Sequence, residues 1–125
     1  MPELAPAIGW SVAKPGQPDD RNADCFSTLI HPNDPAVAFH IVCDGVSAAL
    51  QGRAASRGAC QRSVQRFHDA WTRDIGDSQF LRDTLIDAHD FVCQTHGTTS
   101  AHCTVVAALV NLSTEMITLG HAGDS

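Results

Sequence analysis

The chain has 125 residues, 43% of them hydrophobic and 18% charged, with a formal net charge of −6. A chain this long is about one domain, able to bury roughly two-thirds of its unfolded surface in a single core. Fourteen acidic residues against eight basic ones exclude a nucleic-acid or anionic-membrane surface, because both need clustered Lys and Arg.

Residues 8–13 read as a first strand-like piece, and "KPGQPDDRN", residues 14–22, as the loop after it. A second strand is expected over Asp24–Ile30, ending at the turn "HPNDP". Ala36–Cys43, "AVAFHIVC", is nearly apolar throughout and predicts a strand buried on both faces. From Gly52 the period changes. Cys60, Val64, Phe67 and Trp71 are spaced 4, 3 and 4, one face of a helix that Gly76 is expected to end. Asp77 or Ser78 can cap a second helix, in which Leu81, Leu85, Ala88 and Val92 repeat that spacing. Cys103–Val110 and Glu115–Ala122, joined by "NLST", predict a hairpin. The order is β-β-β-α-α-β-β, and adjacent helices favour an α+β fold with helices packed on an antiparallel sheet.

Five cysteines, an odd number with no C-x-x-C pair, sit largely in apolar runs as small hydrophobes. Together with an N-terminus that has neither a basic start nor an apolar h-region, they lead to the expectation of a reducing, cytoplasmic location. No apolar run is long enough to span a bilayer.

Three acids far apart in sequence share one context. Asp24 in "RNADCF" opens a strand, while Asp44 in "VCDG" and Asp124 in "AGDS" close strands. An isolated Asp-Gly is a common turn pair. Carboxylates gathered at strand tips also suit hard cations such as Mg²⁺ or Mn²⁺. The ordered set "RNADCF", "VCDGVSAALQGRAAS", "GTTSAHCTVVAALV" and "TLGHAGDS" resembles the metal-dependent PPM (PP2C-type) Ser/Thr protein phosphatase family. Gly52, Ala55 and Ser56 match its G-x-x-A-S element, Gly97, Thr98 and Thr99 its G-T-T box, and Gly123, Asp124 and Ser125 its G-D-S box.

The resemblance runs from about residue 8 to the end and covers the first half of a family domain. It implies a PP2C-like β-sandwich flanked by antiparallel helices, truncated to its first half, with residues 1–125 as the N-terminal part of one domain. It implies two Mn²⁺ or Mg²⁺ ions in a complete domain, with a weaker third. Asp44 would bridge two of them, the Gly45 carbonyl would bind one, Asp24 would support the cluster, and Asp124 would help hold the third. The reaction implied is hydrolysis of a phosphoprotein phosphomonoester by metal-activated water, with no protein nucleophile.

Departures from the family pattern carry information too. Ala23 stands where the family has an acidic or amide residue, and Asp19 where it has a phosphate-gripping Arg. Arg21, two residues on, is the candidate substitute, because a guanidinium binds phosphate bidentately. Val46-Ser47-Ala48 follows Asp44-Gly45 in place of the family's glycines. With so few ligands the chain alone is expected to be inactive. The alternative function is a catalytically impaired PP2C-like regulatory or binding module. Exposed strand edges predict self-association of the truncated domain.

Other chemistries find no pattern. Cys43 lacks the C-x5-R of cysteine phosphatases, and Ser47 lacks a G-x-S-x-G elbow. His96, His102 and Cys103 have no matching Cys/His pair for zinc. His40 and His121 read as packing residues. Arg53 and Arg57, one turn apart, read as a solvated face or as a phosphate-facing pair.

Overall fold

The computed structural model describes residues 3–7, 9–13, 15–16, 22–46, 51–97 and 102–123. The elements are β1 (Asp24–Ile30), β2 (Val37–Gly45), α1 (Gly52–Ala70), α2 (Asp77–His96), β3 (Cys103–Asn111) and β4 (Met116–Ala122). The strands form one antiparallel sheet in the order β1-β2-β3-β4. Both helices pack on the same face of it, so the architecture is a small α+β domain.

Several expectations change. Residues 9–13 form no strand. They lie over the outer face of the sheet, where an added Cβ on Gly9 would meet the Phe26 ring at 3.2 Å and Ser11 accepts a hydrogen bond from the Asn22 amide at 2.7 Å. Nor is β2 buried on both faces. Val37, Phe39, Ile41 and Cys43 are buried beneath the helices, whereas Val42 is 55% exposed and Asp44 is exposed. Local apolarity cannot distinguish a strand covered twice from one whose second face waits for a partner. Third, α1 stops at Ala70, before Gly76. Trp71 turns to extended backbone (ψ 132°), and Gly76 instead sits at the N-cap of α2.

α1 is tapered. Its buried residues nearest its start are Gly52, Ala55, Ser56 and Ala59, small enough for the helix to approach the ends of β1 and β2. Towards its other end it buries Phe67 against His31, Phe39, Trp71 and Phe80, with ring centroids 5.1–6.1 Å apart. Asp77 ties this end together, accepting from Trp71 Nε1 at 3.2 Å and from the buried Asn111 side chain at 3.1 Å. The hairpin turn is held by Asn111 Oδ1, which accepts from the backbone N–H of Ser113 and Thr114. Glu115, expected to open the last strand, instead closes this turn with φ at 57°.

The turn between β1 and β2 carries a buried carboxylate. Asp34 accepts from the Arg73 guanidinium at 2.6 and 3.1 Å and from the Ala36 N–H at 3.3 Å. The hydrogen bond from Arg73 holds the Asp34 carboxyl below the usual carboxylate range, against an opposing effect of burial. A carboxyl depressed in the folded state stabilises the fold above its unfolded pKa of about 4, and that contribution is lost as pH falls through the folded value. Arg73→Met is therefore expected to lower stability at neutral pH only modestly, because Arg73 itself is largely exposed. It should also flatten the fall in stability below pH ~4, as read from urea unfolding midpoints across pH. An unchanged acid limb would contradict this role.

Candidate functional site

The expected carboxylates meet at one end of the sheet. Asp24 opens β1 and Asp44 is the penultimate residue of β2, and the two are direct cross-strand partners. The Gly45 N–H donates to the Ala23 carbonyl at 3.0 Å, which makes Ala23 and Gly45 a hydrogen-bonded pair. The next pair, Asp24 and Asp44, is then of the non-hydrogen-bonded kind, in which the Cα atoms approach to about 4.5 Å and the side chains lie closest. Both carboxylates point to the exposed face, away from the helices. Like charges facing each other across a strand pair weaken it, and a cation between them reverses that.

The row continues across the sheet. Thr104 on β3 is the partner of Asp44. Gly123, with φ at +93°, follows β4 so close to Thr104 that an added Cβ would lie 2.7 Å from its methyl group. The described parts of the four sequence motifs thus lie at the same end of the sheet, on β1, β2, β3 and β4. Asp124, next to Gly123, lies outside the described residues, as do Arg21, Thr98, Thr99 and Ser125. Thr104 was missed by the sequence reading. Its only signal was its place at the open end of the predicted hairpin, opposite a strand end whose register was unknown.

Glycines and small residues build the site from behind. An added Cβ on Gly45 would sit 2.3 Å from the Gly52 carbonyl oxygen and 2.7 Å from that of Ala23. One on Gly52 would sit 2.4 Å from the Val46 oxygen. Ser56 Oγ donates to the Ala23 carbonyl and also lies 3.1 Å from the Arg53 carbonyl. The G-x-x-A-S stretch is therefore the seam that clamps the start of α1 onto the tips of β1 and β2. Ala23 contributes its backbone to that seam and offers no side-chain oxygen. The Asn22 side chain ties the same corner, accepting from the Asp24 N–H at 3.1 Å.

Directly beneath the carboxylates lies a cluster of thiols that was not foreseen. Cys25 and Cys43 are cross-strand partners, Cys60 comes up from α1, and Cys103 opens β3. Cys43 is fully buried and in contact with Cys103 and Cys60, and these contacts together with burial push its thiol well above the usual range. Burial, then the neighbouring Cys60, pushes the Cys25 thiol up to about 11. Cys25 and Cys43 are therefore protonated packing groups at neutral pH, as Cys43 was expected to be, whereas the hydrogen bond with Cys43 draws the Cys60 and Cys103 thiols below the usual range. His40 is half-buried on the outer face, whereas His121 is exposed opposite Val106 rather than packed.

The exposed, closely spaced carboxylates of Asp24 and Asp44 offer oxygen donors of the kind that a hard divalent cation takes. Among the described residues no group of three or more His, Cys, Asp or Glu side chains is arranged to hold a metal ion. No described helix is long and apolar enough to cross a membrane. Compared with known protein families, curated proteins and solved structures, the chain matches none.

Proposed function

We propose that the chain carries part of the metal site of a PPM/PP2C-type protein serine/threonine phosphatase. The observation that carries this reading is the facing pair Asp24–Asp44 at the tip of a strand pair, backed by glycines that admit no side chain. Asp44 and Asp24 would hold Mn²⁺ or Mg²⁺, with help from the Gly45 carbonyl and from Asp124. When bound, such ions lower the pKa of water and offset charge developing on phosphoryl oxygens. The protein's own share is to hold the two carboxylates in register, to keep them on the open face, and to leave phosphoprotein substrate free access to it.

The outer face of the sheet supports the sandwich part of the reading. Val42, Val106 and Leu119 are 55%, 41% and 72% exposed on it. An apolar sheet face of this kind is what a second sheet covers in a β-sandwich. One observation favours the alternative, a regulatory or binding module that keeps the fold but not the chemistry: the methyl group of Ala23 stands at the corner of the site where an oxygen ligand is wanted.

Titration of the chain with Mn²⁺, followed by the loss of the free-ion EPR signal, separates the two. Weak, single-ion binding is expected, and Asp44→Asn should abolish it. The same variant should be more stable than the parent without metal, by about 0.2–1 kcal/mol, because it relieves the facing charges. Failure of the parent chain to bind Mn²⁺ would remove the phosphatase reading and leave the binding module.

A further inference from the structure

Beside the carboxylate pair, on the α1 side, is a cavity of about 390 Å³ whose wall includes Ser11, Asn22, Asp24, Arg53 and Arg57. That volume is at the small end of small-molecule sites, which run from about 300 to 1,000 Å³. Arg53 and Arg57 lie four residues apart in the first turns of α1, so their side chains leave one face of the helix and reach the same space.

The other arginines with visible roles serve packing. Arg62 pairs with Asp87 on α2, Arg73 with Asp34, and Arg66 donates to Thr84 and lies over the Phe80 ring. Arg57, in contrast, pairs with no carboxylate among the described residues, and its charge acts on the Cys25 thiol at the cavity wall. The wall is held in place by Asn22, which donates to Ser11 Oγ and accepts from the Asp24 N–H. Cationic side chains on one side and Asp24 on the other give this cavity both an anion-binding wall and an edge on the carboxylate pair.

We propose that Arg53 and Arg57 grip the phosphoryl group of a phosphomonoester beside the Asp24–Asp44 pair. The inference rests on the phosphatase reading for its substrate, and it moves the phosphate contact from Arg21 to the start of α1. Guanidinium forks match phosphoryl oxygens bidentately, whereas a lysine supplies only a point charge.

The probe is inorganic phosphate, titrated into the full chain without metal and followed by calorimetry. The parent should bind it, Arg57→Met should bind about tenfold or more weakly, and Arg53→Met/Arg57→Met should lose binding. Arg57→Lys should fall between the parent and Arg57→Met, and Arg82→Met on α2 should bind like the parent. Circular dichroism confirms that each variant is folded, and Arg57, being exposed, is the variant least exposed to folding defects. No phosphate binding by the parent, or equal binding by Arg57→Met, overturns the inference. Arginine-dependent phosphate binding without any Mn²⁺ binding leaves this anion site standing and removes the phosphatase reading. Intact Asp44-dependent Mn²⁺ binding with phosphate binding indifferent to Arg57 does the reverse.

Discussion

Gly45→Ala is expected to destabilise the fold by about 3 kcal/mol or more, at the upper end of what overpacking costs. The ordinary penalty comes from side chains that shift to make room. Here the added methyl would fall 2.3 Å from the Gly52 oxygen, 2.6 Å from its carbonyl carbon and 2.7 Å from the Ala23 oxygen, all backbone atoms. Relief therefore requires α1 to move off the strand tips. That movement would also strain the Ala23 carbonyl, which accepts from both Gly45 N–H and Ser56 Oγ. A small domain holds only about 5–15 kcal/mol in total, so the loss is a large share. Urea unfolding followed by circular dichroism reads it directly. Gly52→Ala should behave alike, and the double variant should cost less than the sum, since one displacement of the helix relieves both overlaps. A Gly45→Ala midpoint equal to the parent's would show that the seam is not close-packed.

Phe67→Ala is expected to cost about 3–5 kcal/mol, the usual range for deleting a fully buried aromatic ring. Phe67 is 0% exposed and meets four rings: it stacks on Phe39 at 5.4 Å, meets His31 edge-on at 5.1 Å, and touches Trp71 and Phe80. Those partners come from β2, the β1–β2 turn, the end of α1 and the start of α2, so the cavity left behind opens to every layer. Phe67→Leu should recover much of the loss by refilling volume without the edge contacts. A cost for Phe67→Ala below about 1 kcal/mol would mean that the helices close over the gap, contrary to the close packing of protein interiors. The two variants probe opposite ends of one helix. Gly45→Ala strains the site directly, whereas Phe67→Ala weakens the anchor that holds α1 from its other end.

Much of the secondary structure was legible from local pattern. Both helices, the Asp24–Ile30 strand and the hairpin follow from apolar periods and turn residues, which act over a few neighbours and need no knowledge of the rest of the chain. The choice of Asp24 and Asp44 as a pair of interest was also legible, because a carboxylate at the tip of an apolar strand calls for a partner or for water. Their facing register was not legible. It is set by the β1–β2 turn, where the His31 N–H donates to the Val37 carbonyl, and by the sheet pairing that follows.

Other features depended on which surfaces met. Residues 9–13 have strand-like composition, yet they rest on the outer face because packing over Phe26, not sheet edge pairing, takes them up. Four cysteines read singly as small hydrophobes become one cluster only when α1 lies across β1, β2 and β3. Arg53 and Arg57 could be read as a solvated helix face or as a phosphate-facing pair, and only the packing of the start of α1 against the strand tips places them on one cavity wall with Asp24. Sequence by itself determined the type of six elements, their approximate places and the residue types they offer, since those follow from interactions along the chain. Tertiary structure alone decided which of them face one another, because register and helix approach depend on contacts between segments tens of residues apart.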